Sequence, residues 1–274
     1  MEVIMSKLKR RSLLRLGALS GLASSVSSIV VGATATPLAR PMVSNYVRLG
    51  RTEMKVSDIS FGSFPLQPGD EKVVHHALDL GINYFDTAEG YGNGKSEEAF
   101  GRALVGVSRQ DVYLATKIFA GSQMSAAEMM SRLDGCLKRL RTDYVDVFFN
   151  HAVNDLARLQ NEAWQQFAEQ ARAQGKVRYF GMSGHAGRLT ECVKYAIDKD
   201  MFDVLLLATN FGDDPAFYER FTRSFDMVAN QQGLQKLMAE AKRKDIGVIA
   251  MKVLRGARLN DMRPYEQDGY TYSQ

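Results

Sequence analysis

The feature that most constrains this chain is an alternation between residues 59 and 253 in which seven short apolar runs are separated by six amphipathic segments. Strands are expected near 59–64 and over 84–88, 112–117, 145–150, 177–182, 204–209 and 247–253. Helices are expected over 71–80, 96–104, from Ser125, and over 159–173, 189–197 and 233–243. Runs such as "VDVFF" and "DVLLLA" are nearly continuously apolar, as expected of strands covered on both faces. The segment after Ser125 has Glu128 three residues on, a capping box. Its residues Met129, Leu133, Cys136, Leu137 and Leu140 recur at helical spacing and predict one buried stripe. Such alternation predicts a parallel α/β fold, either a doubly wound sheet or a (β/α)8 TIM-type barrel. No GxGxxG joins an early strand to its helix, which weighs against the dinucleotide-binding open sheet. The 274 residues suffice for one large domain or two small ones. Ahead of the alternation, "YVRLGRTEMKVSDISFG" predicts a hairpin around Gly50-Arg51.

The formal charge of +4 does not describe a nucleic-acid surface. Lys7, Lys9, Arg10, Arg11 and Arg15 against Glu2 account for all of it, leaving the remainder neutral, so no nucleic-acid partner is expected. Residues 1–35 combine this basic start with an uncharged stretch and the small-x-small triplet Ala33-Thr34-Ala35, an export-signal pattern. The run "KRRSLLR" resembles a twin-arginine signal, with Arg10 and Arg11 as the pair. This implies a partner in the twin-arginine export machinery, a periplasmic or exported location, and no stable membrane partner after cleavage. An uncleaved membrane anchor and cytosolic retention are the alternatives. Residues 36–44 read as a linker and 45–274 as the folded barrel. Cys136 and Cys192 are too few for a disulfide framework or a four-cysteine metal site, and both read as core packing, as does Trp164. His75 and His76 read as surface.

In a barrel, chemistry collects at the carboxyl ends of strands. Those ends here carry Asp86 with Tyr91 in the loop beyond, Lys117, His151, Ser183-Gly184-His185, Asn210 and Lys252. Lys117 closes the apolar strand "VYLATK", and a buried ammonium needs a partner, which Asp86 on the adjacent strand can supply. The cation beside Tyr91 is expected to lower the phenol pKa toward working pH, which suits proton donation to a carbonyl oxygen. His151 can hydrogen-bond and orient that oxygen. No dense His/carboxylate set is expected to bind metal, which disfavours a metal-dependent hydrolase.

The segments "GINYFDTAEGYGNGKSEEAFGRAL", "VYLATK", "YVDVFFNH", "GKVRYFGMSGH" and "GVIAMKVL", in that order, resemble the aldo-keto reductases over residues 45–274. The resemblance implies a TIM barrel and NADPH (NADP)-dependent reduction of a small aldehyde or ketone. It also implies a tetrad of Asp86, Tyr91, Lys117 and His151, with Tyr91 as general acid. Cofactor contacts are implied at Ser183, Gly184 and Asn210, with Lys252 read as meeting a cofactor phosphate. The chain departs from the family pattern at two positions. Gly184 replaces the asparagine that often follows the serine, with His185 as a candidate substitute, and Met251 replaces an aromatic. After Val253 only 21 residues remain, so the eighth strand, the final helix and the basic phosphate loop are expected to be missing. The rival reading is therefore a truncated or catalytically weak nucleotide-binding barrel.

Overall fold

The computed structural model describes residues 42–185, 187–209 and 233–253; the leader, most of the linker, Asn210 and everything past 253 lie outside the described residues. Strands β1 (Tyr46–Arg48) and β2 (Lys55–Ser57) pair antiparallel as the expected hairpin. The seven expected strands follow as β3 (Phe61–Gly62), β4 (Tyr84–Asp86), β5 (Tyr113–Ile118), β6 (Val145–Asn150), β7 (Val177–Gly184), β8 (Val204–Ala208) and β9 (Gly247–Met251). They form one sheet in chain order, and every neighbouring pair is parallel. That order decides between the two candidate architectures. A doubly wound sheet reverses direction at a switch point, whereas strands that add always on the same side belong to a barrel-type sheet.

Helices α1 (Glu71–Asp79), α2 (Lys95–Ala103), α3 (Ala126–Leu140), α4 (Leu156–Leu159), α5 (Glu162–Ala173), α6 (Leu189–Asp198) and α7 (Leu234–Arg243) fill the connections. In α3 the Ser125 side chain accepts from the Glu128 N–H, and the five stripe residues are buried. Two expectations need correction. Ser96 does not open α2: Gly94 is the N-cap, at φ 87°, which a residue with a Cβ adopts only under strain. Ser96 lies inside α2, fully buried, with its hydroxyl 2.7 Å from Ser63 Oγ and 2.8 Å from Thr87 Oγ1. The helix expected over 159–173 begins only at Glu162, because Asn161 caps α5 at the Ala163 N–H. A separate short helix that was not expected, α4, capped by Asp155 at the Ala157 N–H, precedes it.

Alternation along the strands creates two cores. Outward residues such as Phe85, Leu114, Phe148 and Phe180 pack beneath the helices with Trp164, Cys136 and Cys192, in line with the packing roles expected for those three. Inward residues Tyr84, Ala115, Val147, Phe149 and Leu206 form a second cluster with Leu49, Met54 and Val56 of the hairpin region. The hairpin therefore plugs the end opposite the strand carboxyl ends. Tyr179 Oη accepts from the Glu53 N–H at 3.0 Å and Tyr113 Oη from the Lys55 N–H at 3.3 Å. Arg51 adds an ion pair to Asp200.

Candidate active site

Asp86, Lys117, His151 and Ser183 each lie two residues beyond an inward-facing residue, namely Tyr84, Ala115, Phe149 and Gly181. They therefore point to the same side of the sheet. Their levels are staggered. Ala115 pairs with Asp86 and Lys117 lies two further on; Phe149 pairs with Lys117 and His151 lies two further on. This staircase offsets the tilt of barrel strands, so side chains from different strands meet in one plane. Beneath them, the Phe149 ring occupies the space that a Cβ on Gly181 would claim.

Lys117 is 1% exposed. Its Nζ donates to Asp86 Oδ1 at 2.5 Å and to the Thr87 carbonyl at 2.6 Å. It also sits 4.9 Å from the centre of the Tyr91 ring. Burial opposes the Lys117 charge, but Asp86 and Tyr91 together raise its pKa above the ordinary lysine value. Burial lifts the Asp86 carboxyl against the pull of Lys117. The proton stays on Nζ, and Asp86 is the counterion. Asp86 Oδ2 is buried with no hydrogen-bond partner among the described residues.

Tyr91 reaches this pair on a loop made of tight turns: Gly92, Asn93 and Gly94 all have positive φ. Arg132 of α3 anchors the start of the loop by a fork onto Glu89 and also donates to the Phe119 carbonyl at 3.0 Å. The Tyr91 ring meets His151 edge-on at 5.7 Å and Phe64 edge-on at 5.2 Å. The expected lowering of its pKa is corrected here. Burial is the largest influence and outweighs the Lys117 cation, so the phenol is raised above 10.0. Tyr91 is a neutral proton donor rather than a poised phenolate. His151 is pushed down to about 3, first by burial and then by Lys117, His185 and Arg158. Its imidazole is neutral at physiological pH and carries one N–H to donate.

The expected cofactor contacts separate. Ser183 stands beside His151; its Oγ accepts from the Ala152 N–H at 3.0 Å, which leaves its own hydrogen to donate. Gly184 faces the helix layer, where an added Cβ would meet Leu189 of α6 at 2.3 Å. Lys252 follows β9 at φ 61°, and burial pushes its pKa down to about 8. Three residues were not singled out in the sequence. Phe64 is 60% exposed beside Tyr91, Phe119 lies in the loop after β5, and buried Arg158 holds the backbone around His151. Exposed phenylalanines and a charged helix residue look ordinary in a sequence. Only their placement gives them meaning: Phe64 against Tyr91, Arg158 on the His151 backbone, and Phe119 against Arg158.

The fold and the centre define an α/β barrel protein with a Lys–Asp pair, a half-buried phenol and a neutral imidazole at the strand ends. The aldo/keto reductase family model matches residues 67–269. The chain belongs to the aldo/keto reductase family. It is 30% identical over 233 residues to L-galactose dehydrogenase of Arabidopsis thaliana, covering 80% of this chain and 68% of that protein. It is 39% identical over 120 residues to a rice (Oryza sativa subsp. japonica) protein named "Probable voltage-gated potassium channel subunit beta", covering 39% of this chain and 37% of that one. The chain thus spans between about a third and two thirds of these relatives' lengths. An aldo/keto reductase from Klebsiella pneumoniae, solved with NADP and acetate, superimposes with a TM-score of 0.59 at 22% identity. That match covers 83% of this chain and 77% of the other and bears on the fold.

Proposed function

We propose that this chain reduces an aldehyde or ketone, with Tyr91 as proton donor and NADPH as cofactor. One observation carries the reading: the buried Lys117–Asp86 pair lies under a phenol that burial keeps protonated, next to an imidazole that burial keeps neutral. When bound, NADPH supplies the hydride that reduces the carbonyl carbon. Tyr91 gives its hydroxyl proton to the carbonyl oxygen. Lys117 stabilises the phenolate left behind, because a cation near the oxygen lowers the cost of its charge. Asp86 keeps Lys117 charged and fixed in place. The His151 N–H hydrogen-bonds the substrate oxygen and aligns it with the phenol. Phe64 gives the mouth an apolar wall, which suits a substrate with an apolar body beside its carbonyl.

The chain's own groups fit a nicotinamide cofactor. Ser183 keeps a hydroxyl hydrogen for an amide oxygen, and Lys252 places an amine near the sheet end for an anionic group. The Klebsiella protein was solved with NADP, consistent with this choice. Nicotinamide fluorescence during titration reads cofactor binding, and NADPH consumption against a panel of aldehydes and ketones reads turnover. Binding without consumption across the panel rejects reduction and favours the catalytically weak nucleotide-binding barrel. We further propose that residues 1–35 direct export by the twin-arginine route. Fractionation of cells carrying an Arg10→Lys/Arg11→Lys variant checks this: export that survives the double change rejects it.

A further inference from the structure

We propose that Arg158 is a positioning residue for His151, holding the backbone that sets the depth and direction of the imidazole. The inference rests on the reading of His151 as the group that orients the substrate carbonyl.

Arg158 lies on α4 and is 7% exposed. Among the described residues no carboxylate comes within ion-pair distance of it, which is unusual for a buried guanidinium. Its N–H groups go to neutral oxygens. Nε donates to the Ala120 carbonyl at 2.7 Å, and Nη1 to the Ala152 carbonyl at 2.8 Å. Nη2 donates to the His151 carbonyl at 2.8 Å and to Asn150 Oδ1 at 2.5 Å. The guanidinium carbon also lies 3.8 Å from the centre of the Phe119 ring. One planar cation thus holds three successive residues, Asn150, His151 and Ala152, and ties them to the loop after β5.

The held segment needs holding. Ala152 has φ 51°, a left-handed conformation that alanine adopts only when its surroundings impose it. Its carbonyl is taken by Arg158 and its N–H by Ser183 Oγ. The peptide N–H of His151 is held by the Ile118 carbonyl at 2.9 Å. With both sides of its backbone fixed, His151 has little freedom except rotation of its ring, and Tyr91 packs edge-on against that ring. Lysine could not replace Arg158, because an ammonium lacks the planar fork that meets several acceptors at once. The Arg158 charge also helps keep the imidazole neutral, alongside Lys117 and His185.

Nitrogen-15 spectra of the histidine rings in the full chain, with His151 assigned by His151→Gln, read this role without turnover. In Arg158→Met the His151 signals should shift and broaden, and its protonation midpoint should rise from about 3. Arg158→Lys should still displace the ring signals, with a smaller rise in midpoint because the charge is retained. With a reducible carbonyl, both variants should lose about ten- to hundredfold in kcat, the usual range for a misplaced catalytic group, with NADPH affinity unchanged. Arg178→Met, which removes one ion pair at the opposite end of β7, is the control for general loosening and should leave His151 in place. His151 signals unchanged in both Arg158 variants, whatever their melting temperatures, overturn the proposal. If Arg158→Met does not fold, Arg158→Lys decides alone. A wild-type chain that reduces no carbonyl defeats the proposed function, while the ring spectra still decide what Arg158 does.

Discussion

Lys117 spends its burial on a single task, since its ammonium touches Asp86, the Thr87 carbonyl and the face of Tyr91. Under the proposed mechanism, Tyr91→Phe removes the transferable proton but leaves the ring. Turnover should fall at least a hundredfold, with NADPH binding by fluorescence essentially unchanged. The pH dependence has a definite sign. Because burial raises the Tyr91 pKa above 10.0, the donor remains protonated through neutral pH, and kcat should decline only in more alkaline solution. His151 gives a stability prediction. Its folded value of about 3 lies below the ordinary value of 6.5, so between these the unfolded chain binds more protons. Stability attributable to this group is complete above about 6.5 and is lost as pH falls. Urea unfolding should show about 2 kcal/mol of that loss between pH 7 and pH 5, and His151→Gln should remove it. The strand-end positions of Asp86, Lys117 and His151 were legible in sequence, because polar residues at or just past the ends of apolar strands stand out. The direction of the Tyr91 shift was not, since a pKa depends on burial as well as on the nearest charge.

At a few points buried polar groups join elements, as the apolar core does. Asp146 of β6 is 1% exposed. It accepts from Arg109, from Arg178 and from the Leu114 N–H, linking three segments at one carboxylate. Asp146→Ala leaves the buried Leu114 N–H unpaired, while solvent and the remaining acceptors of Arg109 take up the guanidinium groups, and should cost about 1–3 kcal/mol in urea unfolding. A loss below about 1 kcal/mol would show that water or another acceptor takes its place. Element boundaries were less legible than element identity. Ser96 reads as a cap but is recruited into the hydroxyl cluster with Ser63 and Thr87, so Gly94 starts α2. Asn161 caps α5 and delays its start past the expected Leu159, and Asp155 caps a short helix α4 that periodicity does not show. Local signals compete at such points, and tertiary hydrogen bonds choose among them.

At the scale of the whole molecule, the hairpin and the sheet divide the work of closing the interior. Met54 is fully buried and fills the inner core from the hairpin side. Met54→Ala should destabilise the chain by about 2–5 kcal/mol in thermal or urea unfolding, the usual range for a buried large-to-small change. A smaller loss would mean that the plug collapses onto the space. Which strand residues face inward came from the structure, while the sequence alone determined the seven strands with six helices between them and the candidates for the centre. It could do so because strand alternation, helical periodicity and the cost of burying charge are local rules written in spacing. Only the tertiary structure decided that the strands add in one direction. It alone seated Asp86, Tyr91, Lys117 and His151 together, kept the phenol protonated, turned Gly184 toward the helices and buried Arg158 behind the histidine. Each of these depends on which segments, distant in the chain, share a space and how much water they exclude from it.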